Sequence, residues 1–466
     1  MNFRFLLIPA CLLLASCMVG PNFQLPEFLS GNHWKESRSA NPNRLPDDWW
    51  RLFNDRELTK LIDRALAANN DLAAAKARVE TAQALIGVSR SALFPALGFN
   101  GSAGASRSSS EVLRGNLPAG ADVKLESQNY RSTFDMAYDP DLWGMNKRVV
   151  EASKADAAAA EAMLDSQRLG VATEVARQFF LLRGLDSQQD ILENTLKSRK
   201  VSLEIQQSKN AAGLADGLGT SRAITEVDLA ENDLSIAIRQ RGATEHALAV
   251  LCATVPSAFN ISHQTLDGAL PKIQPSLPVE VLNRRPDVRS AEQDLRAANA
   301  RIGVAEAAFY PSFSLSTGGG FESINLSNLL NWENRVLSLA GSVAQPIIDG
   351  GLNKSNYRAA LSRFQESLSA YRQVLLIALR EVEDALLDVN GQAKSRVALE
   401  RACASSQDTL NLTQERYDKG LTSYFEVVDA ERQLLQIQLS LSQLIADQHV
   451  TIAVLVKALG GGWSGK

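Results

Sequence analysis

Between Tyr130 and Asp139 the chain alternates with period two. Tyr130, Ser132, Phe134, Met136 and Tyr138 fall on one face of an extended strand, and Arg131, Thr133, Asp135, Ala137 and Asp139 on the other. One face is aromatic at both ends with an apolar middle, and the other carries charge. A strand packed on an ordinary core alternates too, so the pattern alone leaves both readings open. An aromatic at each end of about ten residues favours a barrel strand with interfacial girdles and a wet lumen.

Elsewhere the pattern is helical. Leu58, Leu61, Ile62, Ala65 and Leu66 recur at helical spacing after Asp48-Trp49-Trp50. The segment 71–95 then matches 287–311 without a gap, 216 residues further on: Ala75, Ala82, Ala84, Ile86, Gly87, Val88, Ala92 and Pro95 return as Ala291, Ala298, Ala300, Ile302, Gly303, Val304, Ala308 and Pro311. Each copy is an Ala-rich helix ended by proline, followed by alternating strands around a polar loop (106–127 and 321–334) and a Gly turn. The spacing predicts an internal tandem duplication. Strands are expected at about 97–107 and 128–139, then at about 312–320 and 335–345.

Very long helices follow in each half, predicted over 145–207 and 220–251, then over 287–309, 352–418 and 424–458. Leu375, Leu379, Val382, Leu386 and Val389 step by four and three, as do Val427, Ala430, Leu434, Ile437, Leu441 and Leu444, which is a coiled-coil seam. A helix over 145–207 is roughly 95 Å long at 1.5 Å per residue. The expected organisation is a signal peptide over 1–16, an extended segment over 17–56 rich in Pro and Asn, a first repeat over 57–270 and a second over 271–466.

The chain has 466 residues, 45% of them hydrophobic and 21% charged, with net charge −4. It is long enough for a large core, and nothing basic suggests a nucleic-acid partner. No run of 18 apolar residues follows the N-terminus, so a membrane crossing requires a closed barrel. Arg4, the apolar run from Phe5 to Leu14, and Leu14-Ala15-Ser16-Cys17 form a targeting segment. Small residues before cysteine resemble a bacterial lipobox, which implies a covalent lipid such as palmitate on Cys17; Met18 in place of Asp is associated with outer-membrane sorting. Cys252 and Cys403 lie at different depths along their helices, about 54 Å and 26 Å from the respective tip turns, so both are expected to be free and buried.

Four strands per chain cannot close a barrel, and an open sheet in lipid leaves bare edges. Two copies give eight strands around a filled interior, whereas three give twelve with room for a pore. The expectation is a homotrimer, mainly α with a twelve-stranded membrane β-barrel continued by a periplasmic helical coiled-coil tube.

At this point the chain resembles the outer-membrane factor (TolC-like) family, in its lipoprotein branch associated with resistance–nodulation–division efflux pumps. The residues that carry the resemblance are Cys17-Met18-Val19-Gly20-Pro21-Asn22-Phe23, Asp48-Trp49-Trp50, Arg284-Arg285-Pro286-Asp287-Val288, Arg416-Tyr417 and Lys457-Ala458-Leu459-Gly460-Gly461-Gly462-Trp463. The resemblance spans essentially the whole chain. It implies a lipid-anchored exit duct in the bacterial outer membrane that passively conducts drugs or toxic compounds. It also implies docking of the periplasmic tips, at Gly213, Asp216, Gly219, Gly420 and Ser423, on a membrane-fusion adaptor and an inner-membrane pump.

Such a duct performs no covalent chemistry, so its sites control passage. Glu426, Asp429 and Arg432 follow the turn at Gly420 at i, i+3 and i+6. Near a three-fold axis Glu426 and Asp429 would form acidic rings that attract cations. The family's periplasmic gate has acids at the positions matching Glu426 and Asp429 and, in this branch, an arginine matching Arg432. Tyr417 matches a tyrosine whose hydrogen bonding holds the gate shut, and Phe425 adds an apolar constriction. The plainer reading of the acids is a solvated helix start, where the dipole favours them. The first-half turn has Asp216 and Thr220 but no equivalent charged trio.

Nothing points to an enzyme. His33, His246, His263 and His449 lack metal-ligand spacing, and no phosphate loop, HExxH or nucleophile elbow occurs. No cofactor is expected beyond the lipid on Cys17. The competing readings are the outer component of type I protein secretion and a non-conducting periplasmic scaffold. The efflux-type lipobox and C-terminal motif weigh against the first, and the charged face of residues 131–139 against the second.

Overall fold

The computed structural model describes residues 18–27, 33–36, 45–109, 125–214, 216–266, 269–271, 273, 275–276 and 278–461. Cys17 and Trp463, singled out above, lie outside the described residues. The helices are α1 (Arg56–Ala68), α2 (Asn70–Ser91), α3 (Met145–Ala211), α4 (Gly217–Leu251), α5 (Pro278–Arg284), α6 (Pro286–Ala307), α7 (Leu352–Asp418) and α8 (Tyr424–Ala458). The strands are β1 (Ala96–Arg107), β2 (Glu126–Tyr138), β3 (Ser312–Ser323) and β4 (Arg335–Ala344). The fold is mainly helical with one small antiparallel sheet. The helix expected over 145–207 runs one turn further, to Ala211, because alanines lead up to the Gly213 cap.

Two compact units arise, with boundaries inside helices. The first draws its described residues from Met1–Pro26, Glu80–Ala159 and Glu292–Ala370; the second draws on Glu27–Val79, Ala160–Ala291 and Tyr371–Lys466.

The first unit holds the sheet, in the order β1-β2-β3-β4. Phe99 pairs with Phe134, Phe134 with Gly319, and Gly319 with Leu337, which fixes the register across all four strands. At Gly320 a Cβ would collide with the Ser132 carbonyl oxygen, so glycine lets β2 and β3 approach. The N-terminal segment is fastened to this unit by Arg148, whose side chain is fully buried. Its guanidinium donates to the carbonyls of Val19 (3.0 Å) and Gly20 (2.9 Å) and to Asn22 Oδ1 (3.2 Å), and pairs with Glu151 at 2.7 Å. Asn299 Nδ2 donates to the Pro21 carbonyl at 2.9 Å.

The second unit has the main apolar core. Trp49 and Trp50 pack with Leu58, Ile62, Phe179, Phe180 and Leu248, so the double tryptophan is a core anchor. Asp55 caps α1, accepting from the amides of Glu57 (2.8 Å) and Leu58 (2.9 Å). Arg285 ties the start of α6 to the end of α8 by donating to the Ala458 carbonyl (2.9 Å), Glu381 (2.6 Å) and Asp287 (2.7 Å). The Arg-Arg-Pro-Asp run is therefore a clasp. Small residues let α3 and α8 approach closely: a Cβ on Gly184 would lie 2.6 Å from that of Ala446.

By length and composition α8 could cross a membrane, but half of its most apolar window (50%) is buried within the protein. Cys252 and Cys403 are both free thiols. Cys252 is buried as expected, whereas Cys403 is only half-buried, a correction to the expectation of two buried thiols. Cys403 stands on α7 among exposed neighbours, away from the tryptophan core. His449 sits on the Phe180 ring with Nδ1 2.8 Å from the Ile445 carbonyl, and His263 lies between Asp186 and Asp190. Both are polar packing residues.

Candidate functional site

The sheet in the first unit has two unlike faces. Along one run Leu97, Phe99, Phe134, Met136, Phe313, Leu315, Leu337, Leu339 and Val343, brought side by side by the register. Leu337 is 86% exposed, Leu339 82% and Leu97 69%. A contiguous apolar face this open is foreign to a water-soluble sheet and suited to lipid. The opposite face carries Asn100, Ser102, Arg131, Thr133, Asp135, Ser314, Ser316, Glu322, Ser338 and Ser342. Its polar groups satisfy one another: Arg131 pairs with Glu322 at 3.6 Å, Asn129 donates to Glu322 at 3.0 Å, and Thr133 donates to Asp135 at 3.0 Å. The alternation at 130–138 thus extends across the whole sheet; Asp139 lies just past the end of β2.

Aromatic side chains mark the ends of the strands nearest the helices. Trp143 stacks on Tyr310 with centroids 4.9 Å apart and donates to the Pro311 carbonyl at 2.8 Å. Phe94, two residues before β1, is 68% exposed. Rings at this level have the amphipathic character of a membrane–water boundary.

The second unit contains both helical hairpin turns. Gly213 and Gly420 each adopt φ +70. After them the amide of Leu214 donates to the Lys209 carbonyl and that of Leu421 to the Arg416 carbonyl, both at 2.8 Å. These are Schellman caps, which need a left-handed residue that glycine supplies without strain. Asp216 caps α4 by accepting from Gly219 N at 3.3 Å, whereas Ser423 stands at the start of α8 without a side-chain cap bond. Thr220 Oγ1 reaches the Gln206 carbonyl at 3.5 Å.

Behind the turns the hairpins are laced together. Tyr417 Oη accepts from Gln206 Nε2 at 2.7 Å and Lys209 Nζ at 3.1 Å, and the Lys209 ammonium lies 4.4 Å from the Tyr417 ring. Arg432 forms a hydrogen-bonded ion pair with Glu226 of α4. Glu226 is buried, and Arg199 Nη2 lies 3.1 Å from its other carboxylate oxygen, while Arg199 Nη1 donates to the Glu226 carbonyl at 2.9 Å. The hydrogen bond from Glu226 raises the Arg432 pKa further. Burial lifts the Glu431 carboxyl above its usual range, with Arg199 pulling it down and Glu226 pushing it up. Burial, joined by Glu431 and Glu226, pushes the Tyr424 phenol up to about 12.

Of the expected passage residues, Glu426 and Asp429 are exposed on one face of α8, and Phe425 is exposed under the Arg222 guanidinium at 5.1 Å. Arg432 does not join them in a trio: its head turns to Glu226. The first hairpin, which offered no charged trio near its turn, contributes Arg199, Gln206, Lys209 and Glu226 instead. Sequence reasoning missed these four. Glu226 sits among Asp228, Glu231 and Asp233 and reads as one more solvated acid. The available signal was the basic and amide residues at 199, 206 and 209, spaced along one side of the helix before the turn.

Residues 61–254, and again 277–461, match the family described as outer membrane efflux protein. The chain belongs to that family. Over 473 residues it is 31% identical to the solvent efflux pump outer membrane protein SrpC of Pseudomonas putida, covering 100% of this chain and 99% of that one. It is 29% identical over 466 residues to the cation efflux system protein CusC of Escherichia coli O6:H1, covering 98% of each. The solved outer-membrane channel OprN superposes with a TM-score of 0.87 at 28% identity, over 96% of this chain and 100% of that one. As an outer membrane efflux protein the chain is a transport duct of the outer membrane, with the TolC-like fold, and is not an enzyme.

Proposed function

We propose that three copies of this outer membrane efflux protein close a twelve-stranded barrel, continue it as a periplasmic helical tube, and form the exit duct of a tripartite pump. The observation that carries this reading is the sheet: one apolar face, one polar face, and two edges, β1 and β4, unpaired within the chain. In lipid, where no water serves open backbone groups, such edges require neighbouring copies. The internal duplication is supported by two matches to one family and by element lengths. α3 and α7 each have 67 residues, and α4 and α8 each have 35. A helix of that longer length spans about 100 Å, enough to reach far from the membrane.

The hairpin turns form the pump-facing end, docking a membrane-fusion adaptor at Gly213, Asp216, Gly219, Gly420 and Ser423, with a resistance–nodulation–division pump beyond it. Tyr417, Phe425, Glu426, Asp429 and Arg432 form the gate. Glu426 and Asp429 line it as acidic rings, while Tyr417 and Arg432 hold the second hairpin against the first. A lipid on Cys17 anchors the start of the chain. In support, neighbouring Val19 donates its amide to the Trp143 carbonyl at 3.0 Å, at the aromatic level. SrpC is named for solvents and CusC for cations; so wide a range fits a duct whose cargo, drugs or toxic compounds, is selected by the pump.

The test is single-channel conductance of the purified trimer in a planar bilayer, wild type beside Asp429→Ala. A nearly closed wild type that opens in the variant supports duct and gate together. A wild type already open removes the acidic gate, and silence from intact trimers of both proteins removes the duct.

A further inference from the structure

An elongated groove of about 690 Å³ opens in the first unit between α2, α3 and α6. Four cations line it, Arg90, Lys147, Lys154 and Arg296, against a single carboxylate, Glu151. That carboxylate is already neutralised by buried Arg148 at 2.7 Å. Arg296 is 3.5 Å from Glu292, its guanidinium carbon stands 5.0 Å from the centre of the Phe23 ring, and its buried Nε–H has no acceptor among the described residues. The groove therefore holds surplus positive charge and an unused buried donor, and a donor left so costs stability until an acceptor arrives. Its floor is apolar, with Val150 buried, and its mouth is edged by Phe94, the exposed ring two residues before β1.

We infer that this groove binds the headgroup of an anionic diacyl phospholipid from the periplasmic leaflet of the outer membrane. The inference rests on the barrel reading, which puts the helix-side ends of the strands at the periplasmic boundary. Lys147 lies at the first turn of α3 and Lys154 about 10 Å further along it, a span that matches the depth of a headgroup layer. The phosphate meets the cations, the glycerol lies on the apolar floor, and the acyl chains leave past Phe94 along the lipid face of β1. The volume suits a headgroup and glycerol, not whole acyl chains.

The experiment is native mass spectrometry and tryptophan-quenching titration of the full-length trimer in nanodiscs, with phosphatidylglycerol compared with phosphatidylcholine. The wild type is expected to retain phosphatidylglycerol selectively. Arg90→Gln/Lys154→Gln is expected to weaken retention about fivefold per cation, roughly 25-fold for the pair, and Arg90→Lys/Lys154→Arg to restore it. Equal retention of both lipids by the wild type, or undiminished retention by the double glutamine variant, overturns the lipid site. So does complete displacement by inorganic phosphate, which would make the groove a simple anion site. Heat-sensitive trimer bands and unchanged conductance certify that each variant is folded. Conducting trimers without bound phosphatidylglycerol sink the lipid site alone, whereas failure of every protein, wild type included, to enter a bilayer sinks the barrel reading.

Discussion

The two hairpin turns share a backbone and differ in charge. Gly213 and Gly420 have the same φ of +70, and the bonds that close the two turns have the same pattern and length. Yet Asp429 on the second hairpin stands where the first has Arg222, and Glu426 where the first has Gly219, counting from the helix starts at Tyr424 and Gly217. The first hairpin keeps its charge behind the turn and inside, in Arg199 and Glu226; the second displays its charge on the surface. Once duplicated, one backbone can serve two tasks: one hairpin supplies a fixed seat, the other the exposed charge that works against it. What divides the labour is whether a carboxylate is buried or exposed.

The sharpest way to break this asymmetry is Glu226→Ala. It strands Arg199 without its counter-ion inside the protein and frees Arg432, so a loss of about 3–5 kcal/mol is expected, read as a lower Tm together with raised conductance. If Tm holds, the buried seat is not what secures the first hairpin. Next in size is the shared backbone. Gly213→Ala and Gly420→Ala should each cost about 1–2 kcal/mol in thermal unfolding, and by similar amounts, since both force a left-handed alanine. Unequal costs would show that the turns are not equivalent.

Tyr417→Phe keeps the ring over Lys209 and removes only the hydroxyl that serves Gln206 and Lys209. A loss of about 1 kcal/mol is expected, with a partial rise in conductance smaller than that of Glu226→Ala. The smallest effect concerns Glu431. A carboxyl raised in the folded state contributes stability that is complete below its unfolded pKa of ~4.3 and is lost as pH rises through the folded value. Glu431→Gln should therefore raise Tm slightly at pH 7, with the gain vanishing towards pH ~4. A gain that is constant with pH would separate it from titration.

Much of this was legible in the sequence because the signals are periodic. The alternation from Tyr130 to Tyr138 lies in β2, and the seams through Leu375 and Leu434 lie in α7 and α8. Pairing was not legible. The register of β2 on β3 joins Phe134 to Gly319 across more than 180 residues, and no local pattern specifies it. The same holds for Glu226, whose surroundings in the chain are acidic and whose surroundings in space are basic. Arg432 was visible as a cation near two acids, but its partner was misplaced, because the nearest acids in sequence were not those on the facing helix. The exposure of Cys403 was lost in the same way: helical spacing says which side of α7 it occupies, not what covers that side.

The fastening of the N-terminal segment carries a consequence for how the chain is made. Pro21 is held by Asn299, 278 residues later, and Val19 by Arg148, 129 residues later. Contacts so distant in sequence close slowly and only after the intervening chain exists. The residues that leave the export machinery first are thus among the last to find their seat. Through most of synthesis and crossing they stay a loose leader, accessible to processing enzymes, and are drawn in only when α6 completes the berth.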